Sequence, residues 1–394
     1  MSQAIVTEGK LTAIADAIRS VTATSVSYTL DEMASAILSM SGGGGGGGDD
    51  LSDFAAGTLS EATINASIIR SWFTVYNTGL KSINMPNATT ISHSAFTHCY
   101  NLEYVNAPNV TTFIGSNQFW NCSKMSICNL GKVTTIPSAA FSNCYSLASF
   151  NFESVTSIEQ SAFCNCSKLS GIISASLVST YVGASAFSYC SNIDGVDMPN
   201  VKSIYYNAFN QCNKLSTINL PNVIYISGGA FAYCSNLVNA SFPNLASMSG
   251  NWCFNACSKL ETFYAPSLSI ISGNSCFAYC KKLNEISLPL ITSLPNATFV
   301  SCSMLKRATF SKLTSIENYV FSSCNSLSVL DLTNVSAVPT LQNASAFYRT
   351  PMSLSGYLGY FGSIYVPTSL YAAFTTAANW ITYSARITSD PVPA

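Results

Sequence analysis

A phenylalanine, two variable positions and a cysteine return through this chain at a near-constant interval. The phenylalanines fall at 96, 119, 141, 163, 187, 209, 231, 254, 277, 299 and 321, a period of 22 to 24 residues. Self-similarity at this period marks a stacked array, because so short a unit cannot bury its own apolar face and needs neighbours to cover it. Aligned units read Leu-x-x-Ile-x-Leu-Pro-x-Val-x-x-Ile, a short loop, then Ala-Phe-x-x-Cys. The copy from Leu215 through Ile218, Leu220, Pro221, Val223 and Ile226 to Phe231 is a clean example. Its first half predicts a short strand with Leu215, Ile218 and Leu220 inward, ended by the proline; a second apolar segment turns the chain back.

The recurring cysteine has four readings: disulfide, metal ligand, nucleophile or filler. Equivalent side chains of stacked coils run parallel at about 4.8 Å, whereas a disulfide needs Cβ atoms about 3.8 Å apart and turned toward each other. The total of 15 cysteines is odd. A structural zinc needs four converging ligands, and a line of thiols does not converge. A thiol nucleophile needs a base, and the chain has only His93 and His98. Packing accounts for the row best: Cys is a small hydrophobe whose weak S–H donor can reach a turn carbonyl. Cys253 and Cys276 take the small slot filled by Ala140, Ala162, Ala186, Ala208 and Ala230 in other coils. They are the one pair for which a bridge between successive coils is considered.

Four segments flank the array. Residues 1–41 carry two helical patterns, one with Leu11, Ile14, Ala15 and Ile18 after Thr7, the other opening on a capping box, Thr29-Leu30-Asp31-Glu32. Two such helices are too small to stand alone, so they are expected to self-associate or dock. Residues 42–50 are a Gly-rich tether; no strand is expected before the glycines and no Gly-Lys-Ser/Thr follows, so a phosphate loop is rejected. Residues 51–79 read as an N-terminal cap or degenerate coil, with Phe73 in register and Tyr76 in the cysteine's place. The regular array spans 80–347. Residues 348–394 form a C-terminal cap in which Leu370, Phe374 and Trp380 are expected to cover the last coil.

These units, Leu-x-x-Ile-x-Leu-Pro strand and Ala-Phe-x-x-Cys turn together, resemble the BspA-like (treponemal-type) leucine-rich repeat family over about residues 80–347. The expected fold is therefore a leucine-rich repeat solenoid of about twelve coils with short parallel strands, preceded by a small helical module. The resemblance implies a curved right-handed form used for adhesion and surface recognition rather than chemistry. Separately, LTAIADAIR (11–19) and TLDEMASAI (29–37) resemble a helical module that opens tail and other structural proteins of phages and prophages.

Only 9% of the residues are charged, against a usual figure of roughly 25%, and the net charge is −1. Nucleic acid and anionic lipid, which need clustered Lys and Arg, are not expected partners. No apolar run reaches the roughly 18 residues of a membrane span, and the N-terminus lacks a positively charged leader, so synthesis in a cytoplasm without a secretory signal is expected. With the phage resemblance, this gives the leading expectation: a virion, tail-associated protein that meets other virion proteins through residues 1–41 and presents the solenoid to a host-surface glycan or protein. A bacterial surface or secreted adhesin is the alternative, and a purely architectural virion part a third. Homo-oligomerisation fits the low net charge.

Candidate binding residues come from the outward strand positions. The row between the second and third inward residues includes Asn84, Asn106, Asn129, Asn151, Ile173, Asp197, Asn219 and Tyr264, and neighbouring outward positions add Tyr104, Asp194 and Glu261. The asparagines could bond to one another along the stack or offer a polar face to sugar hydroxyls. Tyr189, Tyr233 and Tyr279 share the slot before the motif cysteine, where packing over the turn is the leading expectation and partly exposed rings the alternative. His93, His98 and Cys99 are close in sequence, and Asp194 and Asp197 could pair carboxylates. Neither set has an evident cleft, so no enzyme and no cofactor are expected.

Overall fold

The computed structural model describes residues 40–41, 60–70, 79–353 and 355–393. Most of the expected helical module, the glycine tether, and Phe73 and Tyr76 lie outside these residues. The chain winds as a parallel β-solenoid of about 14 turns of ~22 residues. Sequence reading gave about twelve, because the flanking segments also contribute strands: Glu61–Ile64 before the regular repeats, Ser363–Tyr365 and Ile387–Thr388 after them. The described residues fall into two compact units. The first ends at Val155 and takes in Ala162–Leu169; the second takes Thr156–Ser161 and continues from Ser170.

In the first unit, Glu61–Ile64, Ser82–Asn84, Tyr104–Ala107 and Ile127–Leu130 pair in parallel as a front ladder. Met40–Ser41 adds antiparallel to its outer edge. The apolar segment after each front strand forms a second parallel ladder, Ile68–Ile69 to Thr90–Ile91 to Thr112–Phe113. The second unit repeats the plan. Its front ladder includes Gly171–Ser174, Ile193–Asp197 and Thr217–Asn219. Its side ladder runs from Ser157–Ile158 through Ser203–Ile204 to Ile270–Ile271. Strands are two to five residues long because the inward side chains of one coil, such as Leu215, Leu220, Val223 and Ile226, must converge on one narrow core.

The motif phenylalanines fill that core as stacked rings. Centroids of Phe96, Phe119, Phe141 and Phe163 lie 5.1, 5.3 and 5.2 Å apart. In the second unit the stack from Phe187 to Phe347 steps by 5.2 to 5.6 Å with rings within 13° of parallel. Spacings above 5 Å for near-parallel rings mean offset stacking, the arrangement the ring quadrupole prefers. At the C-terminal end Trp380 and Phe374, both fully buried, meet at 5.2 Å, and Trp380 lies 6.2 Å from Phe347. Trp380 donates Nε1–H to the Pro339 carbonyl at 2.7 Å and the Tyr383 hydroxyl donates to Ala344. Leu370 is only half-buried.

Candidate functional site

Coil-to-coil hydrogen bonding extends beyond the strands into the Phe-x-x-Cys turn. Ser185, Phe187 and Tyr189 donate N–H to Tyr206, Ala208 and Asn210 of the next coil at 2.7 to 2.8 Å. Intervening N–H groups close local bonds: Ala186 to Gly183, Ser188 to Ser185, Cys190 to Phe187. Alternate donors therefore serve the neighbouring coil and the turn itself, and the backbone is satisfied without regular strand geometry.

Two left-handed residues make this alternation. One sits two positions before the phenylalanine, the other just before the cysteine. The second slot holds His98, Asn121, Asn143, Asn165, Tyr189, Gln211, Tyr233, Ala256, Tyr279, Ser301 and Ser323, all with φ between 59° and 63°. No β-branched residue occupies either slot, as sterics in this region require. That exclusion is the signal in the sequence from which the turn could have been found.

Each motif cysteine points inward and is fully buried. In nine of the eleven the thiol donates to the carbonyl of the preceding coil's phenylalanine, as Cys122 to Phe96, Cys144 to Phe119, Cys234 to Phe209 and Cys302 to Phe277, at 3.1 to 3.2 Å. The row is a set of weak staples between coils. Burial pushes these thiols up, to about 12 for Cys257 and Cys302 from an ordinary 9.0. All fifteen cysteines are free thiols. Cys276 places its Sγ 3.9 Å from Cys253 and donates to the Gly273 carbonyl at 3.1 Å.

On the front face of the first unit, Asn106 donates its amide to Asn84 Oδ1 at 2.8 Å, and Asn129 donates to Asn106 at 2.7 Å. Asn151 leaves this ladder: it lies outside a strand and its Oδ1 accepts the N–H of Glu153 at 2.9 Å, closing a local turn. Tyr104 is exposed on the adjacent row. In the second unit Asn219 donates to Asp197 at 2.7 Å, Asp194 accepts the Gly171 N–H at 3.0 Å, and Glu261 and Tyr264 are exposed. Ile173 corrects the outward row. It is buried, and Ile172 is exposed instead, because a bulge between Gly171 and Ile172 shifts the register by one.

The histidines assemble no nucleophile–base pair. His93 Nδ1 accepts the Ser116 N–H at 3.1 Å. His98 Nδ1 meets the Tyr100 hydroxyl at 2.7 Å and Asn121 Nδ2 at 3.0 Å, while Cys99 points into the core. Burial lowers the His98 imidazole below its ordinary 6.5. Among the described residues no three His, Cys, Asp or Glu side chains gather as a metal would need, and no helix is long and apolar enough to cross a membrane.

Tyr189, Tyr233 and Tyr279 stand 49%, 45% and 49% exposed, so each side chain is half covered by the protein and half presented to solvent.

Fold and surface together define a repeat protein, a parallel solenoid whose outward rows mix polar, aromatic and aliphatic side chains. A family model described as a BspA type leucine rich repeat region (6 copies) matches residues 67–194, 172–284 and 253–355, and the chain belongs to that family. No curated protein matches it in sequence. Among solved structures it resembles a leucine-rich repeat protein of Bacteroides ovatus at 20% identity and TM-score 0.50, covering 83% of this chain and 95% of that one. A leucine rich cell surface protein of Faecalibacterium prausnitzii shows 21% identity and TM-score 0.42, with 82% and 93% covered. The pneumococcal vaccine antigen PcpA shows 16% identity and TM-score 0.42, with 84% and 77% covered.

Proposed function

We propose that this protein is a non-enzymatic recognition protein of the bacterial surface, an adhesin whose coils present a fixed exterior to a cell-surface glycan or protein. The observation that carries the reading is the exterior itself. Side chains are held at one-coil intervals by hydrogen bonds through both strands and turns, and the Asn84–Asn106–Asn129 row and exposed Tyr104 and Tyr264 are polar or amphipathic, not charged. Such a surface recognises by shape, hydrogen bonding and stacking, as paratopes rich in Tyr, Ser and Asn do. Membership of the BspA-type family supports the adhesive role. The test is saturable binding of the full chain to isolated bacterial envelopes, with competition by released wall glycans or by protease-treated envelopes to separate the two ligand classes. Retention on no envelope from any host would overturn the proposal.

A second reading, a tail-associated virion protein docked through residues 1–41, rests on LTAIADAIR and TLDEMASAI. Fractionation discriminates: co-sedimentation with phage particles favours the virion, and recovery with envelopes favours the adhesin. Light scattering of the full chain reads the homo-oligomer either setting would use.

A further inference from the structure

The slot before the motif cysteine is used differently in the two units. In the first it holds His98 and then Asn121, Asn143 and Asn165, a residue type suited to positive φ, whose amides bond in a row at 2.6 and 2.7 Å. In the second it holds Tyr189, Tyr233 and Tyr279 at φ 61° to 62°, with Gln211, Ala256, Ser301 and Ser323 in the other coils. A tyrosine is a poor choice for this backbone, and among the described residues these rings make no ring contact and their hydroxyls no hydrogen bond. The coil between Tyr233 and Tyr279 carries Ala256 in that slot and places Trp252, 50% exposed, at its other left-handed position. Unfavourable backbone positions given to large, half-exposed rings whose hydroxyls have no partner point to a ligand.

The spacing says which kind. Tyrosines on alternate coils stand about 10 Å apart, twice the rung spacing. In an extended β-(1→4)-linked polysaccharide each pyranose advances by roughly one rung and turns over, so alternate sugars present the same face. The axial C–H bonds of that face carry positive partial charge and suit the negative face of an aromatic ring. A quaternary ammonium needs rings converging on a point, whereas these stand along a line. A chain with net charge −1 and 9% charged residues has little field with which to select a charged polymer. The turn backbone is rigid: Tyr189, Tyr233 and Tyr279 each donate N–H to the next coil at 2.7 to 2.8 Å, so the rings are organised in advance.

We propose that Tyr189, Tyr233, Tyr279 and Trp252 form a stacking platform for an extended, uncharged β-(1→4)-linked polysaccharide strand lying along the coils of the second unit. This rests on the surface-recognition reading and deepens it by naming the ligand class and the face.

The experiment titrates the full chain with β-(1→4)-linked hexaoses of glucose, mannose and N-acetylglucosamine, by calorimetry and tryptophan fluorescence. The disaccharides measure length dependence, and maltohexaose is the α-linked control. At least one β-linked hexaose binds ten-fold or more tighter than its disaccharide and than maltohexaose. Tyr233→Asn weakens it five-fold or more and the triple Tyr→Asn variant abolishes it. Because Asn already occupies this slot in the first unit, the triple variant keeps or raises its Tm, and lost binding then reports lost rings. Tyr360→Ala, an exposed ring of the C-terminal segment outside the tyrosine row, leaves hexaose binding unchanged. Failure of every β-linked hexaose to bind, or equal binding by the triple variant, overturns the proposal. Envelope binding that survives in either case leaves the surface-recognition reading standing; its absence removes both.

Discussion

A thiol whose S–H is given to a backbone carbonyl, in a site closed to water, is chemically quiet. Cys122, Cys144, Cys234 and Cys302 are all of this kind, and burial raises every one of them. Since the thiolate is the nucleophile, an aromatic disulfide reagent at pH 8 is expected to label these sulfurs only on unfolding. Prompt labelling of half or more of the fifteen in native protein would contradict the staple role. The same shift sets an alkaline limit. For Cys257 and Cys302 burial raises the folded thiol to about 12, against an ordinary 9.0 for the unfolded one. Below about pH 9 both states keep the proton and the contribution is fully present. As pH rises from 9 toward 12 only the unfolded chain ionises, and stability falls by ~1.4 kcal/mol per pH unit for each such thiol. Urea midpoints measured from pH 7 to 10.5 should be flat and then drop, and a Cys257→Ala/Cys302→Ala variant should drop less steeply.

Within one coil, the turn and the ring stack divide the work. Phe231 touches the rings of Phe209 and Phe254 at 5.4 and 5.2 Å, so Phe231→Ala opens a void that its neighbours cannot close, at a cost of ~3–5 kcal/mol in chemical denaturation. The turn is governed by backbone sterics. Ala256 sits at φ 59°, where a β-branched side chain meets its own carbonyl; Ala256→Val should destabilise by ~1–2 kcal/mol while Ala256→Asn is neutral or better. Equal effects of the two substitutions would show that packing, not φ, rules the position. The front-face ladder is a weaker element: Asn106 is the shared member of two amide bonds, and its replacement by Ala costs about 1–2 kcal/mol.

At the scale of the molecule, a stack needs ends. Each coil covers one neighbour, so the last leaves Phe347 and Leu341 facing outward unless something closes over them. Ser363–Tyr365 extends the front ladder and Trp380 and Tyr383 meet Phe347 at 6.2 and 5.1 Å. A chain stopped after residue 362 is expected to expose that apolar edge and elute as aggregate in size-exclusion chromatography, whereas the full chain gives a discrete species. A discrete, stable truncated form would mean that the array closes without this segment.

Period, ring stack and buried thiol row were legible because each rests on one residue type recurring in one place: Phe231 has the same surroundings as Phe209 because its coil has the same neighbours. Facing of individual side chains was less so. Ile173 was placed outward by counting in twos, and a single bulge after Gly171 reversed it. Tyr189, Tyr233 and Tyr279 share one slot, and only the structure shows that each is about half covered and half open to solvent. The amide row was foreseen as one of two options, and Asn151 fell out of it through a local turn to Glu153. Sequence alone therefore determined that the chain stacks and what fills its interior, since burial depends on composition at a repeating position. Which side chains are left to meet another molecule was decided only by tertiary structure, because a one-residue slip or a change in the sign of φ redirects a side chain without altering the repeat that carries it.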